Sequence, residues 1–109
     1  MNPEPMWHHE QSTDGDHTTI VLTGELDLSS ATELQNLLVD AVRTASIVTV
    51  DVSAVGFIDS TTITALVNAH NTAATTGCQF TLANPAARIR RVLQVTGVLS
   101  TFTAPGSAH

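Results

Sequence analysis

The sequence lacks lysine and tyrosine and contains a single cysteine, Cys78, among its 109 residues. One cysteine excludes an intrachain disulfide and any zinc site built from several cysteines, so Cys78 is interpreted as a small apolar residue. The absence of lysine excludes a phosphate-binding P-loop and a lysine Schiff base. No apolar run reaches the ~20 residues that a membrane-spanning helix needs, and the N-terminus does not resemble a signal peptide. We therefore expect a cytoplasmic protein with no direct membrane insertion.

Positive charge is also scarce, since four arginines oppose ten acidic residues and the net charge is −6. Proteins bind DNA and RNA largely through Lys and Arg contacts to phosphates, so we expect no nucleic-acid partner. Apolar residues nevertheless make up 42% of the chain and charged ones only 13%. This composition predicts one folded domain with a core of Val, Leu, Ile and Ala.

Strand-like and helix-like segments alternate along the chain. Residues 1–17 are polar, with a possible edge strand at Met6–Gln11 and a turn at Asp14–Gly15. The later segments predict, in order, a strand at Thr18–Glu25, helix Asp27–Ala45, strand Ser46–Ser53, a helix to about Thr76, strand Cys78–Asn84, a helix to about Thr96 and strand Val98–Thr103. This order, ββαβαβαβ, predicts an α/β domain at residues 18–103, with a mostly parallel central sheet and helices packed against it. Residues 104–109 are interpreted as a tail.

Cap and stop signals predict where the helices begin and end. Ser30 and Glu33 have the spacing of a capping box for the first helix. Gly77 follows the second helix, as is typical of a helix C-terminus. Asn84 is predicted to cap the third helix, with Pro85 in its first turn.

Polar residues follow two of the predicted strands, at the ends where parallel strands carry functional loops. The first loop, GELDLSS, covers Gly24–Ser30, and the second, FIDSTT, covers Phe57–Thr62. If their strands are neighbours, Asp27 and Asp59 face each other and Ser60 lies beside them. The spacing alone also fits a plain helix cap, because Asp or Ser at an N-cap satisfies a free backbone N–H.

A catalytic serine needs a nearby base that a third group orients. Ser60 lies in no G-x-S-x-G turn, and His70 is about 15 Å from it along a helix axis. His70 is therefore interpreted as a partly buried core or interface residue. Asp27 and Asp59 form at most a weak signal for a carboxylate pair or a magnesium site, since no third ligand is fixed. We predict no catalytic residue, no metal site and no cofactor.

Two segments together resemble the STAS domain, in the form found in bacterial anti-sigma factor antagonists. They are LTGELDLSSATEL and, further along the chain, VDVSAVGFIDSTTITALV. The segment NPAARIRRVLQVTGV resembles the third helix of that family and the turn after it. The resemblance extends from about Thr18 to Phe102 and implies a single STAS-like domain.

The resemblance implies a regulatory binding module without catalysis of its own. Family members bind an anti-sigma factor, a kinase-fold protein that otherwise holds a sigma factor inactive, and thereby release the sigma factor. The anti-sigma factor can phosphorylate the serine after the loop aspartate, which corresponds to Ser60, and a phosphatase reverses this. The residues expected to contact the partner surround that serine: Asp27, Leu28, Ser29, Phe57, Ile58, Asp59, Thr61, Thr62 and Thr64.

One position departs from the family pattern. Thr62 stands where family members usually have glycine, which permits close backbone approach. We expect Thr62 to add a β-branched side chain to the docking surface. Thr61 and Thr62 are also candidate phosphate acceptors.

A second function is compatible with the same resemblance. STAS domains also serve as regulatory subunits of membrane transport assemblies, such as a lipid-transport ATPase. In that case the partner is the transport complex and not a sigma regulator.

Overall fold

A computed structural model describes residues 7–98 of the chain. The strands are β1 (Trp7–Asp14), β2 (His17–Leu26), β3 (Ile47–Ile58) and β4 (Gln79–Ala83). The helices are α1 (Leu28–Thr44), α2 (Ser60–Thr76) and α3 (Ala87–Val95). The predicted α/β class and the order ββαβαβα are confirmed within this range. Of the predicted final strand Val98–Thr103, only Val98 is described, and it lies outside any strand; the tail 104–109 lies outside the described residues.

The four strands form one sheet in the order β1-β2-β3-β4. β1 is an edge strand that runs antiparallel to β2 along its whole length, and it extends beyond the predicted end at Gln11. β2, β3 and β4 are mutually parallel. β4 pairs with β3 only over Ile47–Asp51. Beyond Asp51, among the described residues, β3 is paired with β2 alone.

The core forms where the buried faces of the parallel strands meet α1 and α2. Alternate strand residues are buried because successive side chains of a strand point to opposite faces: Ile20, Leu22, Val48, Val50, Phe80 and Leu82. The helices contribute buried apolar residues, which are Leu34, Leu38, Ala41 and Val42 from α1 and Ile63, Leu66 and Ala73 from α2. Within residues 7–98, no helix is long and apolar enough to span a bilayer.

The pairing of β2 with β3 changes register twice between the pairs Val21–Asp51 and Leu26–Ile58. Over this interval β3 has two more residues than β2, as in β-bulges. One shift follows Gly24, whose φ of 106° is a conformation that glycine adopts far more readily than other residues. The shifts bring the carboxyl ends of β2 and β3 to the same level.

The capping box of α1 differs from the predicted pair Ser30–Glu33. Asp27 is the N-cap, and its carboxylate accepts a hydrogen bond from the backbone N–H of Ser29 at 3.0 Å. The Ser30 hydroxyl oxygen in turn accepts the backbone N–H of Asp27 at 3.0 Å. The helix therefore begins one turn earlier than the Ser30–Glu33 spacing indicated, because Asp27 directly follows the end of β2.

The predicted cap of α3 is also wrong. Asn84 adopts a φ of 57°, and its side-chain amide donates to Asp51 at 3.3 Å. The helix N-cap is Ala86, which makes no side-chain cap bond. Asn84 forms the left-handed turn that leaves β4, so Pro85 precedes the helix instead of occupying its first turn.

We predict that Leu38→Ala lowers the free energy of unfolding by about 2–5 kcal/mol, because Leu38 is completely buried and its removal leaves a cavity. Urea unfolding followed by circular dichroism measures the change. Val95→Ala is the control, since Val95 is 79% exposed and its truncation removes little packing. Equal stability of the two variants would contradict the described core.

Candidate functional site

The two polar loops lie side by side at the carboxyl edge of the sheet. Leu26 and Ile58 are paired on adjacent strands, and the residue after each is an aspartate. Asp27 is the N-cap of α1 and Asp59 is the N-cap of α2. The structure therefore brings the two predicted loops together, as neighbouring parallel strands require.

Asp59 holds the N-terminus of α2 through one carboxylate oxygen. Its Oδ1 accepts the Thr61 hydroxyl at 2.7 Å and the Thr62 backbone N–H at 3.0 Å. These two donors, the Thr61 hydroxyl first, lower the pKa of Asp59 below its ordinary value of 3.8 because they stabilise the charged form. The carboxylate is thus ionised at neutral pH and serves as a cap.

Asp27 uses the same arrangement at the start of α1. Its Oδ1 accepts both the backbone N–H of Ser29, at 3.0 Å, and the Ser29 hydroxyl, at 2.7 Å. Both aspartates thus have a structural role at a helix N-terminus, where negative charge is favoured. Neither role prevents the free carboxylate oxygen from meeting a partner.

Ser60 is the first residue of α2 and is exposed. Within residues 7–98 its hydroxyl makes no hydrogen bond. The other hydroxyl groups of this turn donate to acceptors in the protein: Thr61 to Asp59, Thr62 to Leu26 and Thr64 to Ser60. Ser60 therefore differs from its neighbours because its hydroxyl has no part in holding the helix.

Two large apolar side chains are exposed on the segments that carry the two capping aspartates. Leu28, the first residue of α1, is 72% exposed, and Phe57, near the end of β3, is 46% exposed. Exposed apolar groups next to polar ones are typical of protein-binding surfaces. Glu25, which pairs with Phe57 across the strands, is also exposed. Sequence reasoning omitted Glu25 from the candidate contacts, although it lies within the G-E-L-D turn.

Two predicted contact residues are not at the surface. Ile58 is buried in the core, and Thr62 is completely buried, at 0% exposure. The Thr62 hydroxyl donates to the backbone carbonyl of Leu26 at 3.0 Å. The expectation that Thr62 adds a side chain to the docking surface, or accepts a phosphate, is therefore wrong: the third residue of α2 turns inward toward β2.

The remaining chemically reactive residues lie elsewhere. His70 is partly buried on α2, with its ring 6.3 Å from that of Phe80, as expected for a core histidine. Cys78 is buried, and burial raises the pKa of its thiol. Among the described residues, no three His, Cys, Asp or Glu side chains are grouped closely enough to hold a metal ion.

A family model described as "Mlab, STAS domain" matches residues 9–100. This chain belongs to the STAS domain family. The match includes both capping loops and the three helices of the described residues. No curated protein matches the sequence at a significant level.

Solved STAS structures share the fold. The anti-sigma factor antagonist SpoIIAA in its unphosphorylated form has a TM-score of 0.76 at 18% identity, over 88% of this chain and 85% of that one. The phosphorylated form of Bacillus SpoIIAA gives 0.71 at 18% identity, over 88% of each chain. An anti-sigma factor antagonist from Mycobacterium paratuberculosis gives 0.71 at 23% identity, over 88% and 82%. The murine anion transporter Slc26a9 gives 0.70 at 18% identity, over 85% of this chain and 16% of the transporter.

We predict that Asp59 of this STAS domain titrates below 3.8 and that Thr61→Val raises its pKa toward that value, because the substitution removes the hydroxyl donor. Because the folded pKa is lowered, the cap stabilises the fold above the unfolded-state pKa, and this contribution is lost as the pH falls through the folded pKa. Titration of the Asp59 carboxyl carbon by NMR measures the shift. Thr64→Val is the matched control, since the Thr64 hydroxyl donates to the Ser60 carbonyl instead. An equal shift in both variants would refute the assignment.

Proposed function

We propose that this STAS domain is an anti-sigma factor antagonist. It binds a kinase-fold anti-sigma factor, which then releases its sigma factor, and phosphorylation of Ser60 ends the binding. The docking surface consists of Leu28, Phe57 and Ser60 with the two capping aspartates. The fold shared with SpoIIAA, a protein known in phosphorylated and unphosphorylated forms, supports this proposal.

The observation that carries the proposal is the state of the Ser60 hydroxyl. It is exposed at a helix N-terminus and makes no hydrogen bond within the described residues. A kinase can therefore reach it without breaking a structural contact. The helix N-terminus also tolerates the added negative charge. Thr61 is bonded to the Asp59 cap and Thr62 is buried, which favours Ser60 over both as the acceptor.

Electrostatics explains how a phosphate at Ser60 ends binding. The group adds about −1.5 to −2 charge at pH 7, next to Asp59 and close to the loop that holds Asp27. A partner surface that accommodates a neutral hydroxyl next to the Asp59 carboxylate then meets a strongly negative group. A loss of ~3 kcal/mol of binding free energy weakens the complex by about two orders of magnitude.

The exposed apolar residues supply affinity that does not depend on charge. Leu28 directly follows Asp27, and Phe57 directly precedes Ile58, so both lie near the paired strand ends. Burial of a large apolar side chain contributes about 1.5–3 kcal/mol, and interface energy concentrates in such central groups. The proposed surface therefore combines two apolar anchors with one modifiable hydroxyl.

We predict that incubation with its kinase-fold anti-sigma factor and ATP places phosphate on Ser60, and that Ser60→Glu weakens binding at least about tenfold. Mass spectrometry locates the phosphate, and titration calorimetry against each kinase-fold anti-sigma factor of the same genome measures affinity. Ser60→Ala should bind but take up no phosphate. Asn71→Glu, an equal charge at an exposed residue about three turns further along α2, is the control for a nonspecific effect.

Leu28→Ala is predicted to weaken the same complex by about 1.5–3 kcal/mol. Val95→Ala, at a comparably exposed residue on α3, should leave the affinity unchanged. If no anti-sigma factor binds, or if Ser60→Glu binds as tightly as the unmodified protein, the proposed switch is wrong.

We also consider a second candidate function, a regulatory STAS subunit of a membrane transport assembly such as a lipid-transport ATPase. Its support is the fold that this chain shares with part of the anion transporter Slc26a9. Affinity purification from the native cell distinguishes the two. Recovery of a transport ATPase whose binding is lost in Leu28→Ala, without any sigma regulator, would support the second candidate.

A further inference from the structure

We propose that Thr62 is a positioning residue: its buried hydroxyl fixes the Asp27 loop against the N-terminus of α2 and thereby sets how Leu28 and Ser60 are presented together. The role in docking rests on the proposed function. The positioning itself does not, because it concerns contacts within the chain.

Thr62 donates hydrogen bonds in two directions. Its backbone N–H donates to the Asp59 cap at 3.0 Å, and its hydroxyl donates to the Leu26 carbonyl at 3.0 Å. Leu26 is the last residue of β2 and directly precedes Asp27. One residue thus links the cap of α2 to the backbone that leads into the cap of α1.

The second support is burial. Thr62 and Leu26 are both completely buried, so water cannot replace either partner of this hydrogen bond. A buried carbonyl that loses its donor is costly, and the ladder between β2 and β3 ends at the pair Leu26–Ile58. The Thr62 hydroxyl therefore donates to the Leu26 carbonyl at the point where the pairing of β2 with β3 ends.

The two parts of the proposed docking surface lie on different helices. Leu28 is attached to α1 and Ser60 to α2, and the docking surface needs both. The two helices also share a hydrogen bond at their other ends, where the Thr76 hydroxyl donates to the Val42 carbonyl at 3.0 Å. That second bond is of the same chemical type and lies far from the docking surface, so it provides a matched control.

Native-state amide hydrogen exchange tests the positioning without any partner. Thr62→Val keeps the side-chain shape and removes the hydroxyl. We expect exchange at Asp27, Ser29 and Ser30, whose backbone N–H groups donate hydrogen bonds within the cap of α1, to become faster by on the order of tenfold. Thr62→Ser retains a hydroxyl and should restore slow exchange. Thr76→Val should leave these amides unchanged.

A merely structural role predicts a different pattern. If Thr62→Val only destabilises the whole domain, exchange of the slowest core amides, such as those of Val48 and Val50, increases by the same factor as in the Asp27 loop. That outcome, or unchanged exchange in the loop, overturns the inference. If Thr62→Val fails to fold, Thr62→Ala against Thr76→Ala removes the same hydroxyl groups without placing a methyl group against the acceptor carbonyl.

Binding to the anti-sigma factor that accepts the unmodified protein then tests the docking role. Thr62→Val should bind more weakly by about tenfold, while Thr62→Ser and Thr76→Val bind normally. Faster loop exchange with undiminished binding overturns the docking role. Failure of the unmodified protein to bind any anti-sigma factor refutes the proposed function instead, and the exchange result still decides the positioning.

Discussion

The pairing of Leu26 with Ile58 is the constraint on which the site depends. Each residue is the last of its strand, and each is followed by an aspartate that caps the next helix. Without the two register shifts, Leu26 would lie opposite Gly56, and the caps would stand about two residues apart along the strand direction, roughly 6–7 Å. The irregular pairing of two strands thus places two helix N-termini side by side. The proposed docking surface depends on this alignment of the two helix N-termini.

The hydroxyl and carboxylate groups at this edge of the sheet have different roles. Asp27 and Asp59 hold the helices, Thr61 and Ser29 support the aspartates, and Thr62 joins the two loops from inside. Because these groups bond the free backbone N–H groups at the helix N-termini, the Ser60 hydroxyl is not needed to hold the helix. Helix capping and partner recognition are therefore compatible at one site, since they use different atoms of adjacent residues.

Much of this arrangement was predictable from the sequence, because it depends on local patterns. Alternating strands and helices, the stop at Gly77 and the two loops all follow from short-range signals. The predictions were wrong where a contact with a residue distant in sequence determines the conformation. Thr62 turns inward toward Leu26, 36 residues away in sequence, and Asn84 is directed to Asp51, 33 residues away. The Ser30–Glu33 spacing is a valid local signal, but only the end of β2 shows that Asp27 caps first.

The unequal lengths of β3 and β4 have a consequence for motion. β3 continues for seven residues beyond Asp51, its last pairing partner in β4, and this extension carries Phe57 and leads to Ser60. A strand segment with a neighbour on one side only opens at a lower free energy than a segment bonded on both sides. Within the described residues, this extension of β3 is therefore easier to open than the part around Val48 and Val50, which is bonded on both sides. A partner that docks there, as proposed, would meet this more easily opened segment while the doubly paired part of the sheet stays intact.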